Sequence, residues 1–149
     1  MRALVWIVAE TWQATVAGAA TFLPAGADVT LLHVTASDAQ TVARGARDAL
    51  LGRPHRPAAN SLDAISEQSA RQLLADAQAA LGREAVLDAR CGRIEHEVIA
   101  AAGTADLILF ARDKDHTHPG PRSLGPTARY VLDHAPRAVL LVWPDAPSA

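Results

Sequence analysis

Cysteine is nearly absent from this chain of 149 residues, in which Cys91 is the only one. A single cysteine excludes an internal disulfide, and such scarcity fits a reducing compartment. Long apolar runs are lacking too: residues 3–9 are apolar, but Glu10 ends the run far short of the ~20 residues of a membrane span. The run loosely mimics a signal peptide, but the chain needs it as its first core strand. We therefore expect a cytoplasmic protein without a membrane partner.

An excess of charge of either sign is also missing. The chain has 14 basic and 16 acidic side chains, a formal net charge of −2, and no cluster of basic residues. Binding to nucleic acid needs such a cluster, so we expect no nucleic-acid partner. No Ser/His/Asp arrangement with recognisable spacing is present either. We predict no catalytic residues and expect a protein that is not an enzyme.

Half of the residues are apolar, and they alternate between short runs and helical stripes. The pattern predicts one α/β domain over residues 1–144 and a loose tail at 145–149. The predicted strands cover residues 3–9, 29–34, 85–89, 107–110 and 138–143. The predicted helices cover residues 12–23, 38–51, 61–81, 94–102 and 126–134. Such alternation implies a parallel sheet with helices on both faces, and its ligands lie beyond the carboxyl ends of the strands.

Several side chains have predicted structural roles. Thr11 is expected to cap the first helix and Gly82 to end the long one. Cys91 is expected to be buried and inert. His33 and His134 are expected to be packed or capping residues rather than catalysts. The core stripe of the first helix is expected to comprise Trp12, Val16, Ala19, Ala20 and Leu23.

Three segments together resemble the universal stress protein family. Residues 27–34 (ADVTLLHV) resemble its second strand, and residues 92–110, ending in DLILF, resemble a helix followed by its fourth strand. The most specific segment is residues 124–136 (LGPTARYVLDHAP), which runs into the apolar stretch 138–142. The resemblance implies a three-layer domain with a five-stranded parallel sheet in the order 3-2-1-4-5. It also implies a homodimer formed through the last strand, residues 138–143, and an apolar edge strand invites such pairing.

The resemblance also implies a nucleotide-binding loop, which is altered in this chain. ATP-binding members carry a glycine, two residues, a second glycine, nine residues and then Gly-Ser or Gly-Thr. Gly125 matches the last glycine. The motif's spacing places Arg112 and Asp115 at the other two, whereas alignment on the fourth strand places Ala111 and Lys114 there. Neither alignment restores the glycines that let a backbone approach phosphate closely.

Two further departures affect the same site. The serine of the family is Pro126, which removes a hydroxyl and a backbone N–H donor. Thr127 is the nearest substitute for that hydroxyl. ATP-binding members also end their first strand in an aspartate, where this chain has Val8 or Ala9, with Glu10 as a displaced replacement. The motif is therefore degenerate, and we predict impaired or absent ATP binding.

The candidate ligand site is a cleft bordered by five residues. They are Val34, Arg112, Arg122, Gly125 and Thr127. Gly125 and Thr127 lie where a helix N-terminus attracts anions. The resemblance implies that Val34 offers backbone groups to a base, which leaves ATP or AMP as ligands to be tested.

Three functions stay open at this point. The first is a non-catalytic regulatory or interaction module of the universal stress type, for which no cofactor is predicted. The second is an adenine-nucleotide-binding stress protein with weak ATPase activity. The third is a metal-binding module that uses the 113–118 loop, where His116 and His118 are weak candidate ligands. A metal site needs a third or fourth ligand held by further contacts, so we predict none.

Overall fold

The computed structural model describes residues 1–37, 50, 52, 61–112 and 124–144. The strands in this part are β1 (Arg2–Trp6), β2 (Asp28–Ala36), β3 (Val86–Gly92), β4 (Leu107–Ala111) and β5 (Ala138–Val142). The helices are α1 (Trp12–Phe22), α2 (Ser61–Leu81), α3 (Ile94–Ala102) and α4 (Pro126–His134). Most of the predicted helix at 38–51, the 113–118 loop and the 145–149 tail lie outside the described residues.

The strands form one parallel sheet in the order β3-β2-β1-β4-β5, which confirms the predicted fold class. The chain proceeds from the central β1 to one edge and then crosses to β4 on the other side. The strand order therefore reverses between β1 and β4. In sheets of this kind, ligands bind in the crevice beyond the carboxyl ends of the strands near such a reversal.

Apolar side chains from β1, β2, β4 and β5 enter two separate clusters, because successive residues of a strand point to opposite faces of the sheet. One cluster packs under α1 and α2, and it includes Val5, Ile7, Leu31, Leu109, Val16 and Leu74. The other packs under α3 and α4, and it includes Leu4, Trp6, Ile108, Phe110, Val98 and Val131. Burial on both faces explains why the central strands are nearly continuous apolar runs in the sequence.

The ends of the elements follow local chemistry. Gly82 has a φ of +71°, the left-handed conformation that glycine adopts readily, and it ends α2 as predicted. Pro126 occupies the first turn of α4, where its missing N–H costs nothing. Although α2 has 21 residues, no helix in the described part of the chain is long and apolar enough to cross a membrane.

The first strand is shorter than predicted. Its pairing with β2 ends at Trp6 and Leu32, and the Thr11 N–H then donates to the Val8 carbonyl at 3.0 Å in the turn that leads into α1. The third strand is longer than predicted, because its pairing with β2 continues to Gly92. The sequence pattern identifies both strands but does not fix where the pairing stops.

Three of the side-chain predictions are wrong. Thr11 makes no capping bond, and its buried hydroxyl has no hydrogen-bond partner among the described residues. Its carbonyl instead accepts bonds from the backbone N–H and the hydroxyl of Thr15, each at 3.0 Å. Ala20 is exposed, because Val16 and Ala19 already define the buried face of α1. Cys91 is exposed because β3 is an edge strand.

The amino ends of β1 and β4 are joined by Arg2 and Asp106. The Arg2 N–H donates to Asp106 Oδ2 at 2.8 Å, and the Asp106 N–H donates to the Arg2 carbonyl at 2.8 Å. The Arg2 guanidinium adds a contact of 3.3 Å. The backbone donor, followed by the guanidinium, lowers the pKa of Asp106 below its usual value. The contacts hold the two strands together at the end of the sheet opposite the cleft described next.

Candidate functional site

A cleft of about 320 Å³ opens beyond the carboxyl ends of β1 and β2. It lies between the chain that follows β1, the end of β2, the start of α3 and the first turn of α4. Its lining consists of Trp6, Ile7, Val8, Ala9, Glu10, His33, Val34, Ile94, Gly125, Pro126, Thr127 and Ala128. The cleft is at the edge of the sheet where parallel α/β folds bind ligands.

The structure brings three of the five candidate residues together. Val34, Gly125 and Thr127 all line the cleft. Arg112 does not line it, because its guanidinium carbon lies 5.7 Å from the ring centroid of Trp143, over the carboxyl ends of β4 and β5. Arg122 lies outside the described residues. The binding role of all five stays a prediction.

Metal ligands are not clustered in the part of the chain that the structure describes. Within those residues, no group of three or more His, Cys, Asp and Glu side chains is arranged to hold a metal ion. His116 and His118 lie outside that part.

The first turn of α4 forms one wall of the cleft. Gly125 precedes the helix with an extended backbone, and its carbonyl accepts a bond from the Arg129 N–H at 3.0 Å. Helix geometry leaves the amides of Thr127 and Ala128 without intrahelical acceptors. Pro126 lies between these amides and Gly125 and has no N–H. The wall therefore offers an anion fewer donors than an unmodified helix start does.

The ladder between β1 and β2 opens where it meets the cleft. The Ile7 N–H donates to the Leu32 carbonyl at 2.7 Å. The Ile7 carbonyl lies 2.8 Å from His33 Nδ1. A carbonyl oxygen only accepts hydrogen bonds, so Nδ1 carries the hydrogen. This contact fixes the orientation of an imidazole that lines the cleft.

Two ionisable side chains, Glu10 and His33, appear in the lining. Glu10 is exposed and lies in the chain that follows β1, at the mouth of the cleft, so its carboxylate opposes the approach of a polyanion. A carboxylate in this position is also suited to accept hydrogen bonds from ligand hydroxyls. The lining is otherwise mainly apolar.

Trp6 closes the back of the cleft. Its ring is buried and contacts Phe110, with ring centroids 5.2 Å apart and planes inclined at 56°. Trp6 belongs to the predicted first core strand, but the sequence did not predict that it also lines the cleft. Ile94 was missed in the same way, because an apolar residue at a helix start gives no separate signal for a cleft.

The start of α3 is held by a charged contact beside Ile94. Burial raises the pKa of Glu95, but the Arg93 guanidinium at 2.5 Å and a backbone N–H outweigh this effect, so the pKa falls below its usual value. The carboxylate therefore stays ionised at the amino end of α3, where the helix dipole favours negative charge.

The sheet order defines a doubly wound α/β protein, and the cleft lies at the switch point of its strand order. The model of the universal stress protein family matches residues 9–142. The chain therefore belongs to the universal stress protein family, which confirms the resemblance seen in its sequence.

Solved structures give the same fold. The hypothetical protein MJ0577 matches with a TM-score of 0.68 and 15% identity, over 97% of this chain and 96% of that one. A universal stress protein from Archaeoglobus fulgidus matches with a TM-score of 0.61 and 13% identity, over 95% and 98%. A universal stress protein in complex with cAMP matches with a TM-score of 0.65 and 13% identity, over 95% and 96%. A search of curated proteins finds no match.

Proposed function

We propose that this universal stress protein is a non-catalytic regulatory module that binds a nucleoside or a nucleoside monophosphate in preference to ATP. The observation that carries the proposal is the cleft itself. It combines an apolar lining of a size suited to a base with a helix start that has lost an anion donor at Pro126.

The apolar part of the cleft supports binding of a flat, uncharged group. Trp6, Val34 and Ile94 contribute apolar walls. Ligand pockets typically measure about 300–1,000 Å³, and a cleft of about 320 Å³ is at the small end of that range. A nucleoside fits such a volume better than a triphosphate does. The universal stress protein solved with cAMP supports the choice of adenine compounds for the test.

The polar part of the cleft argues against a triphosphate. The amides of Thr127 and Ala128 and the hydroxyl of Thr127 are donors for one phosphate group. Pro126 removes a further donor. Glu10 repels additional negative charge at the mouth. A monophosphate gains the helix-start donors without bringing the charge of two further phosphates toward Glu10.

Calorimetric titration of untagged protein with adenosine, AMP, cAMP and ATP, with Mg²⁺ present, tests the proposal. We expect the tightest of the first three to bind at least about tenfold more strongly than ATP, which corresponds to about 1.4 kcal/mol. Ala9→Trp fills the mouth of the cleft and is expected to abolish binding. Ala79→Trp is the matched control, because Ala79 is an exposed residue on α2, outside the lining.

Other outcomes of the titration point to the alternatives. If ATP binds most tightly and phosphate is released on incubation, the chain is an adenine-nucleotide-binding protein with weak ATPase activity. If none of the four compounds binds, the ligand-binding proposal fails and a protein-interaction module takes its place. No observation on the described residues favours the metal-binding alternative at residues 113–118.

We further propose a homodimer formed through residues 138–143. The Arg112 N–H donates to the Val142 carbonyl at 2.9 Å, so Val142 directs its backbone groups toward β4. Backbone direction alternates along a strand, which turns the groups of Leu141 and Trp143 to the open edge. Trp143 has an exposed fraction of 59%. An edge with these properties favours pairing with a second copy.

We expect Trp143→Glu to convert the dimer to a monomer, measured by light scattering coupled to size-exclusion chromatography. The substitution adds a charge at the paired edge but leaves Arg112 an ionic partner, so the fold is retained. Leu140 is a poorer choice because it packs against the cluster under α1. Val86→Glu on the opposite edge strand, at an exposed position, is the control and should leave the dimer intact. If Val86→Glu disrupts the dimer and Trp143→Glu does not, the interface lies at β3 instead of β5.

A further inference from the structure

We propose that His33 is a positioning residue. By bonding to the Ile7 carbonyl, it holds the β1–β2 ladder open, which means that the next ladder bond is not formed and the Val34 N–H stays available to the ligand. The second half of this statement rests on the proposed function of the cleft. The first half concerns hydrogen bonds of the protein alone and is tested separately.

The geometry of a parallel ladder identifies the bond that is missing. A residue in such a ladder bonds to the residues on either side of the one opposite it. Ile7 lies opposite His33, and its N–H bonds to the Leu32 carbonyl at 2.7 Å. The continuing ladder would add a bond from the Val34 N–H to the Ile7 carbonyl. Among the described backbone hydrogen bonds, this one is not formed.

His33 supplies the replacement. Its Nδ1 lies 2.8 Å from the Ile7 carbonyl, the acceptor that Val34 would otherwise use. The imidazole therefore satisfies the last carbonyl of β1 without the Val34 N–H. It also prevents Ile7 from continuing the strand, which agrees with the end of the β1–β2 pairing at Trp6 and Leu32.

The consequence for Val34 follows from backbone alternation. Leu32 directs its carbonyl toward β1, so Val34, two residues later, directs its backbone groups toward the same side. Beyond Trp6 that side is the cleft, which Val34 lines. A buried amide without a partner is costly, so an acceptor on a ligand gains more there than at the surface. A ring nitrogen of a base is such an acceptor.

In its neutral form, the imidazole offers the cleft a second group. Because Nδ1 carries the hydrogen, Nε2 holds the lone pair and is an acceptor. The cleft thus gains one donor at Val34 and one acceptor at His33 from a single contact. This pairing favours a ligand that carries adjacent hydrogen-bonding groups of both kinds over a purely apolar ligand of the same size.

Nuclear magnetic resonance of the ligand-free protein tests the structural half. Long-range ¹H–¹⁵N correlation at about pH 8, where an ordinary imidazole is neutral, is expected to identify the Nδ1–H form of His33. Couplings transmitted across hydrogen bonds are expected between Ile7 N and Leu32 C′, but not between Val34 N and Ile7 C′. The Nε2–H form, or a Val34–Ile7 coupling in the unmodified protein, would overturn the proposal.

Substitutions at His33 test the positioning role. His33→Leu removes the donor at similar size, so the Val34–Ile7 coupling should appear and AMP should bind about tenfold more weakly, as expected for one lost hydrogen bond. His33→Asn keeps a donor near the Nδ1 position and should restore both properties. His134→Leu is the control, since Nδ1 of His134 makes a similar contact with the Tyr130 carbonyl at 2.9 Å away from the cleft.

The outcomes separate the two proposals. A His33→Leu protein without the new coupling overturns the role of His33, whether or not AMP binds. If the Val34–Ile7 coupling appears in the His33→Leu protein but AMP binds as before, the Val34 N–H is not the donor to the ligand. That result also overturns the positioning role of His33. If AMP does not bind the unmodified protein, the proposed ligand is wrong, and the couplings still decide whether His33 holds the ladder open.

Discussion

Phe110→Ala is expected to lower the free energy of unfolding by about 3–5 kcal/mol, as large-to-small substitutions of buried aromatic residues do. It is also expected to weaken ligand binding, although Phe110 does not line the cleft. Phe110 is a central residue of β4 with an exposed fraction of 1%. Its ring packs in the cluster under α3 and α4.

The effect on binding follows from the contact between Phe110 and Trp6. The two ring centroids are 5.2 Å apart, and Trp6 forms the back of the cleft. Truncation leaves a cavity behind the indole, which then loses part of the packing that fixes its position. A ligand must order that side chain on binding, and this lowers its affinity.

Denaturant unfolding and calorimetry with AMP measure the two effects of Phe110→Ala. Phe22→Ala is the matched control, because Phe22 on α1 has an exposed fraction of 61% and its truncation should change the stability by less than about 0.5 kcal/mol. A loss below about 1 kcal/mol for Phe110→Ala would show that this part of the core is not packed as described. Unchanged AMP affinity in the folded Phe110→Ala protein would show that the packing of Phe110 against Trp6 does not affect ligand binding.

The helices at the end of the chain could be predicted closely from the sequence, because their boundaries depend on nearby residues. Residues 94–102 and 126–134 were both predicted, and they match α3 and α4. Pro126 opens α4, and the polar segment around Pro136 follows it. Such signals act within a few residues and need no knowledge of the sheet.

The extent of β1 and β3 could not be predicted, because it depends on pairing with a strand far away in the sequence. Residues 3–9 form one apolar run, yet the ladder ends at Trp6, where His33 takes the Ile7 carbonyl. Cys91 is exposed for a similar reason. Its exposure follows from the position of β3 at the edge of the sheet, which the family resemblance implied but which no pattern in the residues around Cys91 reports.

The candidate site was predicted in part. Val34, Gly125 and Thr127 come together because each lies at an element end on the carboxyl edge of the sheet, a place the fold class dictates. Arg112 lies at the same edge, but its long side chain extends over Trp143 rather than toward the cleft. The direction of a long surface side chain is set by its partners, and these are known only after the fold is formed.

Gly18→Val is expected to lower the free energy of unfolding by about 2–3 kcal/mol through overpacking between α1 and β5. A Cβ atom at Gly18 would lie 2.6 Å from Val142 Cγ1 and 3.2 Å from Val142 Cβ. Real Cβ atoms do not tolerate the shorter distance, so one of the two elements must move. Val142 is buried and β-branched, so few other rotamers are open to it that would relieve the clash. The gain in helix propensity over glycine is below about 1 kcal/mol, and the clash therefore dominates.

A double-mutant cycle tests this explanation for Gly18. Val142→Ala alone should destabilise by leaving a cavity, but combined with Gly18→Val it nearly conserves volume and should restore much of the lost stability. Gly26→Ala is the control, because nothing lies within 4 Å of its Cβ position and its stability should hardly change. Additive effects of Gly18→Val and Val142→Ala would contradict the contact.

Because the Val142 carbonyl accepts the Arg112 N–H at 2.9 Å, displacement of β5 should also weaken the proposed dimer. The single substitution should therefore reduce both stability and dimerisation, and Val142→Ala should recover them together.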